Sequence, residues 1–152
     1  MKKLILAMGM MCAMAANAAT LTQGQSIPTF ELQDQNEQLQ QVTAETRTLL
    51  FSRDMKGGEI IQESLESMGD KIPADLVYVA DISGMPGLIA KFVAIPQLQK
   101  LPFAIALDRE GQATAALPSQ EDKAAVIKLD GLKMVDIQYY ESADSLTKAL
   151  QP

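Results

Sequence analysis

From Thr29 onward the spacing of apolar residues changes repeatedly, and each change predicts an element. Thr29–Leu32 and Leu39–Val42 are short apolar pieces separated by a Gln-rich polar stretch. Asp34-Gln35-Asn36-Glu37 reads as the tip of a β-hairpin between them. Thr48-Leu49-Leu50-Phe51 is a compact apolar run of the kind a central strand buried on both faces requires. A turn-like segment, Ser52 to Gly58, follows. From Glu59 the period becomes helical. Ile61, Leu65 and Met68 fall at i, i+4 and i+7, with Glu59, Glu63 and Glu66 on other faces, and Gly69-Asp70 ends the helix.

Leu76–Ala80 predicts a second buried strand, and Asp81–Gly84 a loop. Pro86 suits the first turn of a helix running to about Leu98, whose broad apolar face is built from Leu88, Ile89, Phe92, Val93 and Ile95. Pro96 breaks the regular pattern near its end. Phe103–Leu107 predicts a third strand, followed by a turn at Asp108-Arg109-Glu110-Gly111. Ala113–Leu117 fits a short helix or a strand, and pattern alone does not decide. Ala124–Leu129 and Met134–Ile137 predict two strands around a hairpin signal at Asp130-Gly131. Ser142 can cap a last helix with Asp144 in its first turn and Leu146, Ala149 and Leu150 facing inward. Alternating strands and helices, then a hairpin and a helix, predict a three-layer α/β/α sandwich with a mixed central sheet and an N-terminal β-hairpin.

The N-terminus has a different logic. Met1-Lys2-Lys3 precedes an uncharged stretch, Leu4 to Met14, and then Ala16-Asn17-Ala18. A basic start, an apolar middle and an Ala-x-Ala end predict a signal peptide over 1–18 with cleavage after it, rather than a buried helix. The apolar stretch is shorter than the roughly 20 residues a spanning helix needs. Gly9-Met10-Met11 before Cys12 does not fit a lipobox, so no stable membrane anchor is expected and the protein is expected in soluble form in the periplasm. Residues 19–26 read as an exposed lead-in and 27–152 as one domain.

Composition narrows the chemistry. The chain has one cysteine, Cys12, and no histidine. Loss of residues 1–18 leaves neither thiol nor imidazole, so packing alone stabilises the domain in an oxidising compartment. Removing Lys2 and Lys3 leaves 11 Lys+Arg against 19 Asp+Glu, a net charge of −8. That balance disfavours nucleic acid or anionic lipid as a partner.

Three stretches resemble the thioredoxin fold in its peroxiredoxin-type version. They are Ile27-Pro28-Thr29-Phe30-Glu31-Leu32-Gln33-Asp34, Leu49-Leu50-Phe51-Ser52 before a helix, and Leu101-Pro102-Phe103 through Asp108-Arg109-Glu110-Gly111. The resemblance covers roughly 27–150 and makes Ala113–Leu117 a return strand. With Met85-Pro86-Gly87 and the signal pattern, it extends to small bacterial periplasmic proteins of the YtfJ type. It implies a reactive cysteine at the loop entering the first core helix. Asp54-Met55-Lys56-Gly57-Gly58 stands there instead, which excludes thiolate chemistry at that place. The resemblance also puts Pro102 where thioredoxins carry a cis-proline.

Candidate site residues lie after the first two core strands: Arg53, Asp54, Met55, Lys56, Gly57 and Gly58, then Asp81 and Met85. Gly57 and Gly58 can expose backbone N–H groups to an anion, with Lys56 and Arg53 alongside. Asp54 and Asp81 can form a carboxylate pair for acid–base work. The competing readings are a plain strand-to-helix turn, and Asp81 or Ser83 as a helix cap. Met55 and Met85 suit an adaptable contact surface. Asp34–Glu37 and Glu121-Asp122 lack the spacing of a Ca²⁺ loop, so neither metal nor cofactor is expected. The expected function is binding of a periplasmic protein or small ligand without catalysis. The alternative is a hydrolase or lyase using Asp54 and Asp81, with Arg53 or Lys56 stabilising an anion.

Overall fold

The computed structural model describes residues 19–151, so the signal-type segment and Cys12 lie outside the described residues. Strands β1 (Phe30–Gln33) and β2 (Leu39–Val42) form the expected antiparallel hairpin. A second sheet has the order β5-β4-β3-β6-β7. In it β3 (Thr48–Ser52), β4 (Leu76–Asp81) and β5 (Ala106–Asp108) run parallel, while β6 (Ala124–Asp130) and β7 (Lys133–Tyr140) complete it antiparallel. Every residue of β3 is buried, as its unbroken apolar run predicts for a central strand.

Helix α1 (Met55–Met68) links β3 to β4, and a helical segment links β4 to β5. That segment consists of α2 (Gly87–Ile89), a π turn (Ala90–Ala94) and α3 (Ile95–Leu98). Both crossovers step in the same direction along the sheet. Right-handed connections then place both on one face. The core agrees: Ile61 and Leu65 of α1, Ile95 of α3 and Leu146 of α4 (Ala143–Leu150) share a cluster with Leu50, Tyr78 and Val126. The alternate strand residues Leu49, Phe51, Val79 and Ile127 pack on the opposite face. There the cover is Val42 and Phe30 of the hairpin, Ile27 and Leu117. Both faces of the sheet are covered, but hairpin and coil form the third layer where a helix was expected.

Several boundaries differ from expectation for identifiable reasons. Helix α1 starts at Met55, not Glu59, because Asp54 is a strong N-cap and brings both glycines inside the first turn. The third strand is Ala106–Asp108 rather than Phe103–Leu107, since residues 98–105 are held by a side chain from the hairpin tip, described below. Ala113–Leu117 is neither strand nor regular helix but a set of turns, organised by buried Asp108. Its carboxylate accepts from Gly111 N–H, Thr114 N–H and the Thr114 hydroxyl at 2.7–2.9 Å. The β6–β7 turn centres on Gly131 and Leu132, with φ of 55° and 72°. Both are left-handed, as a two-residue hairpin turn demands. The expected lead-in, residues 19–26, is tied to β7, where Gly24 N–H donates to the Met134 carbonyl, and Ile27 N–H, at the start of the expected domain, donates to the Leu132 carbonyl.

The largest correction concerns the second helical segment. Ile95 is buried, but Leu88, Ile89, Phe92 and Val93 are exposed rather than forming a buried face. Pro96 accounts for this. It has no N–H to offer the Phe92 carbonyl, and its ring crowds the carbonyl four residues back. The turn before it widens instead, with Ile95 N–H donating to Ala90 five residues back. The inward positions become Ala90 and Ile95, five apart, and a face read at a 3.6-residue period turns outward. Ala149, expected inside α4, is also exposed, while Leu146 and Leu150 are buried.

Candidate functional site

The parallel strands β3, β4 and β5 all end at one edge of the sheet, where ligands of such folds gather. The loop after β3 is closed by its own side chains. Asp54 has extended backbone, and its Oδ1 accepts from Gly57 N–H at 2.7 Å. Its Oδ2 accepts from Asp122 N–H at 2.8 Å. Gly58 N–H donates to the Asp54 carbonyl. The helix N-terminus, with its unpaired donors, already faces a carboxylate from its own chain. A Cβ on Gly57 would lie 2.5 Å from the Lys123 carbonyl oxygen, so glycine is required there by close packing. Beneath Gly58 sits Tyr78, fully buried, its hydroxyl 3.5 Å from Ser52 Oγ. Burial pushes its phenol above the ordinary tyrosine value, opposed by hydrogen bonds from Ser52 and Gln62.

Arg53 is equally committed. Its Nη1 pairs with Asp81 at 3.3 Å, and Nη2 donates to the carbonyls of Thr114 and Leu117, each at 3.0 Å. Nε donates to Ser119 Oγ at 3.1 Å, and the guanidinium lies over the Phe51 ring. Asp81 also accepts from the Ser83 N–H and hydroxyl. The structure therefore joins Arg53 to Asp81 and gives Asp54 a separate partner set. No hydrogen bond links the two carboxylates. The Arg53 donors and the Gly57 amide are engaged within the fold, although the Arg53 side chain stays 36 % exposed, and Met55 and Lys56 project into solvent. Among the described residues no cluster of His, Cys, Asp and Glu fits a metal ion.

Open space lies one loop further on. A groove of about 520 Å³ runs between the hairpin tip, the loop after β4 and the π-containing segment. Gln35, Asn36 and Glu37 form one wall; Ile82, Met85, Ala90 and Ile95 supply apolar surface; Lys91 and Arg109 bring positive charge. Of the predicted residues Met85 alone lines it. The wall is pinned by Gln35, which is 1 % exposed. Its Nε2 donates to the carbonyls of Leu98 and Phe103 at 3.2 and 2.7 Å, and its Oε1 accepts from Ile105 N–H at 2.9 Å. Gln99 Nε2 in turn donates to the Gln35 carbonyl. Beside the groove, Leu88 is 73 % and Phe92 66 % exposed. Each follows a groove-lining residue, Gly87 or Lys91, by one position.

Gln35, Lys91, Arg109, Leu88 and Phe92 were not among the predicted site residues. The signal for Leu88 and Phe92 was Pro96, which forbids a regular helix through them. Gln35 gave none, since a glutamine in a polar turn looks solvated. The peptide before Pro102 is trans, as are all peptide bonds among the described residues.

StoA from Bacillus subtilis superimposes with a TM-score of 0.56 at 11% identity, over 82% of this chain and 97% of that one. Peroxidoxin BcpB from Mycobacterium tuberculosis gives 0.55 at 14%, over 86% and 98%. The thioredoxin domain of a thiol-disulfide oxidoreductase from Bacteroides vulgatus gives 0.53 at 10%, over 87% and 100%. The fold is thioredoxin-like. The match takes in nearly the whole of each of these structures, one named a peroxidoxin and one the thioredoxin domain of a thiol-disulfide oxidoreductase. At this identity the likeness shows fold alone. No family model matches the chain and no curated protein matches it, so the narrower YtfJ-type likeness receives no support.

Proposed function

We propose that this thioredoxin-like domain is an exported, periplasmic binding protein without thiol chemistry, whose contact face is the loop and helical segment after β4. One observation carries the reading. The place implied for the family's cysteine is filled by internal hydrogen bonds of Arg53 and Asp54, whereas four large apolar side chains stand exposed beside an open groove one loop away. Apolar surface gathered on one segment marks an interaction site more than scattered exposure does. A π turn at the centre of that segment fits the same reading, because such turns recur at functional sites. Met55 at the α1 N-terminus is also exposed, but it stands on the closed loop and outside the proposed face.

The test is site-specific photo-crosslinking in the periplasm from positions 88 and 92, with position 56 as the control on the closed loop. A discrete product from 88 and 92, absent from 56, is expected. The same bystander proteins at all three positions would count against the face. Peroxidase and disulfide-reductase assays on residues 19–152 are expected to stay at background. Robust turnover by that purified fragment would overturn the exclusion of thiol chemistry.

A further inference from the structure

We infer that the groove receives an acidic, apolar peptide segment of a partner protein. Its carboxylates would sit against Lys91 and Arg109, and its apolar side chains against Met85, Leu88 and Phe92. This rests on the binding face proposed above and assigns what occupies it. The first support is charge. The chain carries 13 Lys+Arg against 19 Asp+Glu, yet the groove holds two cations and one carboxylate, Glu37. The three ion pairs among the described residues join Arg47 to Asp130, Arg53 to Asp81 and Lys123 to Glu141, so neither groove cation is neutralised by one. The acidic remainder of the surface does not cancel this local sign, because exposed charges are screened beyond about 8 Å at physiological salt. The second support is extent. A groove of about 520 Å³ suits a small molecule as well as a peptide. Leu88 and Phe92 stand outside it, at 73 % and 66 % exposure. A small acid in the groove leaves them in water, while a peptide that enters the groove and crosses the helical segment covers both.

The probes are two labelled synthetic peptides, acetylated and amidated, that share Leu-Phe-Leu apolar positions interleaved with Glu and Asp in one and Lys in the other. Binding to residues 19–152 is read by fluorescence anisotropy at low and high salt. The acidic peptide is expected to bind about tenfold tighter than the basic one at low salt, with the gap closing as salt rises. The double variant Lys91→Glu with Arg109→Glu is expected to reverse the order. Equal binding of the two peptides, binding of neither, or an order unchanged in the double variant overturns the charge assignment. Crosslinking from positions 88 and 92 then still reports on the face itself. Binding that survives Leu88→Asp with Phe92→Asp overturns the face. Dodecanoate serves as the small-acid probe. If it displaces the acidic peptide while leaving the Leu88 and Phe92 resonances unmoved, the groove is a small-ligand site and the peptide assignment fails.

Discussion

The loops after β3 and β4 leave the same edge of one sheet, and each leads from a parallel strand into a helix. Their outcomes differ. The first is rich in charge and ends with two of its charges consumed: Asp54 caps α1 and holds Asp122, and Arg53 ties Asp81 to the 114–119 turns. The second has no side-chain cap on its helix, and its Pro96 forces the widened turn that exposes Leu88 and Phe92. Charged residues next to a helix start are as readily a fastening as a site. Large apolar side chains left in water have no comparable structural use.

If the first loop is a fastening, breaking it should cost stability. Arg53→Ala removes donors from two backbone carbonyls and leaves the Asp81 carboxylate, only 6 % exposed, without its cation. A loss of about 2–3 kcal/mol is expected, the range for stranding buried polar partners, read as a lower urea midpoint. Gly57→Ala should cost about 2 kcal/mol, because its Cβ meets the Lys123 backbone rather than a movable side chain. Gly58→Ala is the internal control. Its Cβ finds ordinary contacts at 3.5 Å or more, so it should be neutral or gain up to about 0.5–1 kcal/mol of helix propensity. Equal losses for both glycines would show that the loop tolerates neither Cβ for some reason other than the Lys123 approach.

Asp54→Ala comes next, at about 1–2 kcal/mol, the usual cost of an N-cap. It removes the acceptor of both Gly57 and Asp122 amides. Amide exchange at those two residues should accelerate while β3 stays protected. Unchanged exchange at Asp122 would mean that the link to the 119–123 loop carries no weight.

These residues also show what the chain made legible. The strands β3, β4, β6 and β7 follow from their apolar runs, and α1 from its period, because burial on a sheet imposes those patterns directly. The candidate loop was placed at the right edge of the sheet for the same reason. The roles inside it were not legible. Whether Arg53 faces solvent or Thr114 depends on contacts across 61 residues of chain, which no local pattern encodes. Gln35 is the sharper case, a polar turn residue made into a buried bracket by carbonyls 63 and 68 positions away. Leu88 and Phe92 failed differently. Their residue types were read correctly and their direction was not, since a single Pro shifted the period beneath them.

A smaller effect is expected from the floor of the closed loop. Tyr78 is buried, and burial raises its pKa above 10.0. The folded state therefore keeps a proton that the unfolded chain has lost. Tyr78 stabilises fully below about pH 10, and its share is lost as pH rises from there toward the folded value. Urea midpoints measured from pH 8 to 11 should fall at the alkaline end, and Tyr78→Phe should flatten that fall. Some slope will persist, because partial burial also raises Tyr139. An identical slope in Tyr78→Phe would place the titration elsewhere.

The smallest stability effect belongs to the open loop, and it separates the two regions most directly. Leu88→Ser with Phe92→Ser alters side chains that are 73 % and 66 % exposed. Exposed substitutions of this kind stay within about 0.5 kcal/mol, so the urea midpoint should match the parent. Crosslinking from position 85, which lines the groove, should nonetheless drop sharply. A protein that keeps its stability and loses its crosslink has a surface held in water for contact. One that loses more than about 1 kcal/mol has those side chains packed into the fold, and the contrast between the two loops collapses, since both would then be fastenings.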